Sequence, residues 1–174
     1  MRLSKVTVAV LLFGFLSFLK VEAAASFVSS EKDLLNALKL SKPFDTVLIT
    51  GFYCLNEPLV ISKPLVLIGI NNPSLDFQSL SAGLVLTADS IEISGLGIFN
   101  IKRSSINDYA AVYAEDVENV NIHNNRILNA FFGVYLANSK FSKVHHNYIK
   151  GHSSSEQTTG NAVHSWQCDS IHIY

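Results

Sequence analysis

This chain is poor in the residues that build metal clusters, disulfide scaffolds and charged interfaces. Of its 174 residues two are cysteine, one is methionine, one is tryptophan and four are proline. Two cysteines exclude a disulfide-dense secreted scaffold and a four-thiolate zinc site. Neither a His-x-His nor a Cys-x-x-Cys occurs. Charge is scarce at 16% of residues, and 13 Lys plus Arg against 14 Asp plus Glu leave a net −1. A chain so nearly neutral is not built for nucleic acid or for an anionic membrane surface. No leucine framework of the kind that shapes a leucine-rich horseshoe is present.

Apolar length is concentrated at one place. Arg2 and Lys5 precede an almost wholly apolar run from Val6 to Leu19, and Ala23, Ala24 and Ala25 supply small residues after it. That order is the pattern of a signal peptide, expected to be cut near Ala25, and the run is too short for a comfortable membrane span. Export to the periplasm is therefore expected, with 1–25 as the signal peptide and 26–174 as a single domain. Cleavage would also remove Arg2, Lys5 and Lys20, leaving the remainder mildly acidic.

What the chain does have is a repeat. VNIHNNRI, Val120 to Ile127, returns as SKVHHNYI, Ser142 to Ile149, after a step of 22 residues. The step aligns Ile122 with Val144, His123 with His145, Asn125 with Asn147 and Ile127 with Ile149. Ile93 stands 29 residues before Ile122, and Ile173 stands 29 after Val144, with polar stretches at Lys102 to Asp108 and Ser153 to Thr159 absorbing the difference. A second set of apolar residues precedes the first: Val112, Val134 and Val163 lie ten residues ahead of Ile122, Val144 and Ile173, and Leu84 lies nine ahead of Ile93. Units with short strands, each unable to bury its face alone, must stack on copies of themselves. The spacing predicts an all-β fold, a right-handed parallel β-helix, because a β-sandwich has no reason to hold this register.

Ahead of the coil, Leu34, Leu35 and Leu38 form one apolar face of a short helix. Ser30 is its expected N-cap, with Asp33 in the capping-box place, and Lys42 and Pro43 stop it. Such a helix would cover the open end of the coil. Ile171 to Tyr174 begins a rung that it does not complete, so the chain is expected to be the front part of a longer protein. Cys54 and Cys168 fall too many rungs apart to bridge; Cys54 reads as a small core or edge residue.

The strand period of two assigns faces. Val120, Ile122, Ser142, Val144, Ile171 and Ile173 point inward; Asn121, His123, Lys143, His145, His172 and Tyr174 point outward. His123 and His145 become neighbours on the outer wall, with His146 at the corner, and these three are the candidate ligands for copper or zinc. They lack further ligands in their column, so a polar wall is the expected role and no cofactor is assigned. Asn125 and Asn147 should form a carboxamide ladder at the corner. Gly133 and Gly160 are expected to permit tight bends before the next strands. Tyr113, Tyr135 and His164 align in an outer column that could pack across rungs, meet a partner or stack on a sugar. The outward acids Glu92, Asp108, Glu115, Asp116, Glu118 and Asp169 do not pair across a groove as glycoside hydrolysis requires. They read as solvated turn residues, and the protein as not an enzyme.

The stretch GNAVHSWQCDSIHIY, Gly160 to Tyr174, with NVNIHNNRI and GVYLANSKFSKVHHNYI, resembles the NosD proteins, exported right-handed β-helix proteins of nitrous-oxide reductase maturation. The combination of Gly160, Asn161, His164 and Trp166 carries the narrow part of that resemblance; KPLVLIG carries only a general β-helix likeness. Val163 and Ser165 stand where isoleucine and leucine are expected, and the Arg-Asp-Gly segment expected one rung on falls beyond Tyr174. The resemblance implies a non-catalytic periplasmic role in assembling the copper-sulfur centre. Its implied partners are the reductase and the membrane and ATPase components of an ABC transporter; the candidate partner surface, read from the outer column and its neighbour, is Tyr113, Tyr135, His164 and Trp166. The alternative is a carbohydrate-binding or carbohydrate-active β-helix with a polysaccharide partner.

Overall fold

A computed structural model describes residues 23–104, 106–151 and 160–174. The chain winds as a right-handed parallel β-helix of three sheets. Strand β1 (Ala25–Val28) is followed by helix α1 (Glu31–Leu40) and then by β2 (Thr46–Ile49), β3 (Phe52–Cys54) and β4 (Leu59–Ile61), which make the first complete turn of the coil. The next turns are β5 (Val66–Gly69), β6 (Ser74–Leu80) and β7 (Ala82–Leu86); β8 (Glu92–Ser94), β9 (Gly97–Ile101) and β10 (Ala110–Glu115); β11 (Asn121–His123), β12 (Arg126–Leu128) and β13 (Phe132–Ala137). β14 (Lys143–His145), β15 (Tyr148–Lys150), β16 (Val163–Trp166) and β17 (His172–Ile173) complete the described part. The first sheet runs β1-β2-β5-β8-β11-β14-β17, the second β3-β6-β9-β12-β15 and the third β4-β7-β10-β13-β16.

Register follows the repeat residue by residue. Ile122 pairs with Ile93 on one side and Val144 on the other, and Val144 with Ile173. Val112 pairs with Leu84 and Val134, and Val134 with Val163. Ile127 stands over Ile149. The interior is one continuous apolar stack that includes Leu67, Ile93, Ile122 and Val144, all essentially without solvent exposure. Ile173 departs from the expected burial: it stacks on Val144 but is 55% exposed, because no described rung covers its other side.

Helix α1 has the expected cap, with the Ser30 hydroxyl oxygen accepting from Asp33 N–H at 3.2 Å. Leu34 and Leu38 are buried in the end of the coil, whereas Leu35 is exposed, so the apolar face is narrower than the sequence suggested. At about 100° per residue Leu38 lies about 40° around the helix from Leu34, whereas Leu35 lies about 100° from it and falls at the edge of the buried face. The helix does not precede every strand, since β1 lies before it and pairs with β2. The expected signal peptide lies almost wholly outside the described residues; Ala24 N–H donates to the Asp45 carboxylate at 2.8 Å, and Lys42 N–H does the same. Those two bonds hold the Asp45 carboxyl below its ordinary value. No helix among the described residues is long and apolar enough to cross a membrane.

The corners are made by residues in the left-handed region. Between the first and second sheets these are Gly51, the pair Asn71 and Asn72, Gly95, Asn124 and His146, the last three at φ 70, 54 and 53°. Asparagine tolerates that conformation better than most side chains, and histidine is also enriched there. Gly133 and Gly160 serve another purpose than the bends expected of them. Neither has a positive φ; a Cβ on Gly133 would lie 2.5 Å from Ala162 O and Ile149 Cγ2, and one on Gly160 2.2 Å from Phe131 O. They are glycine because the neighbouring rung, the next for Gly133 and the preceding for Gly160, leaves no room for a side chain. The polar stretch Lys102 to Asp108 does loop out between β9 and β10, and the second expected loop, Ser153 to Thr159, lies outside the described residues.

Candidate functional site

Two outer walls carry the aromatic and imidazole side chains singled out by the sequence. On the third sheet, register places Tyr113, Tyr135 and His164 side by side on β10, β13 and β16. Tyr113 and Tyr135 stack with ring centroids 5.3 Å apart, and Tyr135 and His164 with centroids 5.0 Å apart. The Phe132 ring packs edge-on against Tyr135 and tilted against His164, at 5.2 and 5.1 Å. Each phenol is tied to a carboxylate. The Tyr135 hydroxyl donates to Asp108 at 3.0 Å and the Tyr113 hydroxyl to Glu115 at 2.9 Å. Burial first, then the bond and charge of Glu115, push the Tyr113 phenol up to about 12; burial and Asp108 push Tyr135 in the same direction. Asn161 lies 3.0 Å from His164 Nδ1 through its side-chain amide, and Trp166, 56% exposed, follows on the same face below Ala137.

This arrangement decides what the column can do. Tyr135 is only 6% exposed because its neighbours cover both faces of its ring. A sugar stacks on an open face, so the column cannot serve as a stacking platform along its length. It is a stiff aromatic ridge whose last described member, His164, lies on β16, the terminal strand of this sheet among the described residues, with Trp166 exposed on the same face. Asp108 and Glu115 are exposed, as expected of solvated acids, and each also accepts from a tyrosine hydroxyl; Glu92, on β8, is half-buried and faces His123. Asp108 reaches Tyr135 from the loop between β9 and β10, a pairing across 27 residues that strand periodicity does not encode. Phe132 was missed for the same reason, since its place at the start of β13 gave no periodic signal.

On the first sheet His123 and His145 are neighbours in register, with parallel rings 4.9 Å apart. Tyr174 continues the stack beneath His145 at 4.8 Å. Parallel rings direct their nitrogen lone pairs side by side, and equivalent nitrogens on rings so spaced are too far apart for one ion with bonds near 2 Å. The nitrogens are engaged otherwise. His123 Nε2 meets Glu92 Oε1 at 3.2 Å, and the Asn124 amide meets His123 Nδ1 at 2.8 Å. His145 Nε2 donates to Asn121 Oδ1 at 3.1 Å, which leaves Nδ1 to accept from His146 Nδ1–H at 2.8 Å. His146 thus does on its rung what Asn124 does on the rung before, from the same left-handed corner. Among the described residues no group of three or more His, Cys, Asp or Glu side chains is placed to hold a metal ion.

His145 sets a pH dependence. Burial, then the nearby His123, His146 and Lys143, hold the His145 imidazole below its ordinary value of 6.5. The unfolded chain therefore takes up a proton at His145 before the folded one does. Stability should be constant in this respect above about pH 6.5 and fall with pH below it, until the folded-state imidazole also titrates. Urea denaturation at about pH 7.5 and about pH 5.5 should show a loss in the wild type that is smaller in His145→Phe, which keeps the stack without the titration. Equal losses in the two proteins would refute the assignment. Asp45 contributes separately and lower, since a depressed carboxylate loses its stabilisation only as pH falls below about 3.8.

The asparagines build the ladder expected of them. Asn125 Nδ2 donates to Asn147 Oδ1 at 3.0 Å and to Ile93 O at 3.0 Å, while its Oδ1 accepts from Leu96 N–H at 3.0 Å. A second ladder, Asn129 to Asn100 and Asn100 to Asp76, stands at the next corner. Its 29-residue spacing was present in the sequence beside the Ile93 to Ile122 step. Cys54 is exposed on β3, and both cysteines are free. Comparison with family models, with curated proteins and with solved structures finds no match for this chain.

Proposed function

We propose that the protein is a non-catalytic, exported accessory protein that helps assemble the copper-sulfur centre of nitrous-oxide reductase, acting with an ABC transporter in the periplasm. The single supporting observation is the placement of the residues that carry the NosD resemblance. Asn161, His164 and Trp166 share the outer face of β16 and its lead-in, with His164 clamped between Asn161 and the Tyr135 ring. An exposed tryptophan beside a rigid aromatic ridge has the form of an interface anchor: the ridge is already ordered, so docking costs little side-chain entropy. The β-helix supplies the stiffness and leaves copper chemistry to the client and its other assembly partners.

Deletion of the gene should leave the reductase exported, with its electron-entry copper site retained and its copper-sulfur centre missing. Metal analysis and visible spectroscopy of the purified reductase read both centres. Complementation with Trp166→Ala should restore assembly only weakly, although the coil folds, because the side chain is exposed. A deletion strain with a fully loaded, active reductase would refute the proposal.

A further inference from the structure

Asp45 is a buried carboxylate that the maturation role leaves unused. It is 6% exposed, and among the described residues no lysine, arginine or histidine side chain makes an ion pair with it. Lys42 and Lys63 act on it only from farther off, and the Lys63 ammonium is engaged by the carbonyls of Lys39 and Ser41 at the end of α1, at 2.8 and 2.7 Å. The two carboxylate oxygens accept from the backbone instead. Oδ2 takes the Lys42 N–H and Oδ1 the Ala24 N–H, both at 2.8 Å. A buried carboxylate is ordinarily paired with a cation, and one of these two donors can become one.

Ala24 lies where the expected signal peptide meets the fold. The small-residue pattern allows two cuts: one after Ala25, with Ala23 and Ala25 as its small pair, and one after Ala23, with Val21 and Ala23. A cut after Ala24 would put the charged Glu22 in the third place. The fold separates the first two. Ala25 opens β1 and pairs with Thr46, and the Thr46 N–H donates to Ala24 O at 2.8 Å. A cut after Ala25 removes that acceptor together with the Oδ1 donor of Asp45, whereas a cut after Ala23 keeps both. We propose that export processing hydrolyses the Ala23–Ala24 bond, so that the mature chain begins at Ala24 rather than at Ser26, with its α-ammonium paired to Asp45. The oxygen of the added water ends in the Ala23 carboxylate of the leader, and its two protons end on the Ala24 nitrogen. That nitrogen is already in contact with Asp45. An α-amine titrates at about 7.7–8.0 and is mostly charged at neutral pH, and a charge-assisted bond to a carboxylate is about twice as strong as a neutral one. Processing therefore fastens β1 more firmly to the end of the coil. The inference rests on the export part of the proposed function.

The test is to produce the full chain from Met1 in a bacterial host with a periplasm, and to determine the first residue of the product by intact mass and N-terminal sequencing. Ala24 is the expected first residue. An exported chain that begins at Ser26, or at any residue other than Ala24, would overturn the inference and leave export standing; a chain that still begins with Met1 would overturn both. The ion pair is read on the exported protein by acylation of its α-amine at about pH 7, against the free peptide of residues 24–28. A carboxylate partner that raises the amine by about one pKa unit lowers its reactive fraction about tenfold, so the folded chain should react about tenfold more slowly than the peptide. Lys42 and Lys63, the other charged groups near Asp45, carry amines that peptide mapping separates from this one. Asp45→Asn should bring the rate back to that of the peptide. Equal rates in the folded wild type and the peptide would overturn the pairing whether or not that variant folds, and so would a folded Asp45→Asn as slow as the wild type, which would show that the fold merely shields the amine.

Discussion

Replacing Ile122 by Asp is expected to abolish folding of the coil. Ile122 is fully buried, with Ile93 directly on one side and Val144 on the other. The substitution removes an isoleucine whose burial contributes about 2 to 3 kcal/mol, and it places a carboxylate in an interior with no cation to meet it. An unpaired buried charge adds several kcal/mol more, which approaches the whole stability of an ordinary domain at about 5 to 15 kcal/mol. Because each rung is the floor of the next, the defect cannot be confined to one strand. Circular dichroism should show loss of the β signal. Ile122→Val, which removes one methylene, should cost only about 1 kcal/mol. A soluble Asp variant that melts at the wild-type temperature would show that the column is not a core.

Asn125→Ala should be the next most damaging change, at about 2 to 4 kcal/mol. Asn125 is 2% exposed, and its amide satisfies Leu96 N–H, Ile93 O and Asn147 Oδ1 together. Alanine leaves the Leu96 donor unpaired where water cannot reach, and that penalty exceeds the net value of the bond itself. Asn129→Ala is the natural control. Asn129 is exposed and gives one carboxamide bond to Asn100, which water can replace, so its loss should cost less than about 1 kcal/mol. The two variants compared in one urea series separate an asparagine that closes the corner from one that only decorates it. Equal, small effects would mean that the buried ladder is not structural.

The difference between these two asparagines shows where sequence reading reaches its limit. Both stand after a strand, both recur in the stack, and both have an aligned partner in sequence. Only the direction of the side chain at the corner, inward for Asn125 and outward for Asn129, makes one indispensable. The histidines teach the same point. Their adjacency follows from a 22-residue step, but the parallel orientation that turns their nitrogens away from a shared ion is a property of side-chain packing.

The sequence by itself determined the architecture. A strand has a side-chain period of two and each rung must lie directly over the last, so the aligned apolar residues settle register, face and stacking without further information. The cap at Ser30 and the ladder of Asn125 and Asn147 were equally legible, because capping depends on a few neighbouring residues and the ladder on the 22-residue step. The tertiary structure alone decided which acid holds which ring, why Gly133 and Gly160 must be glycine, and that Leu35 stays outside. Each of these depends on the distance between side chains from rungs whose loops differ in length. Local periodicity carries no record of that distance; the packed coil creates it.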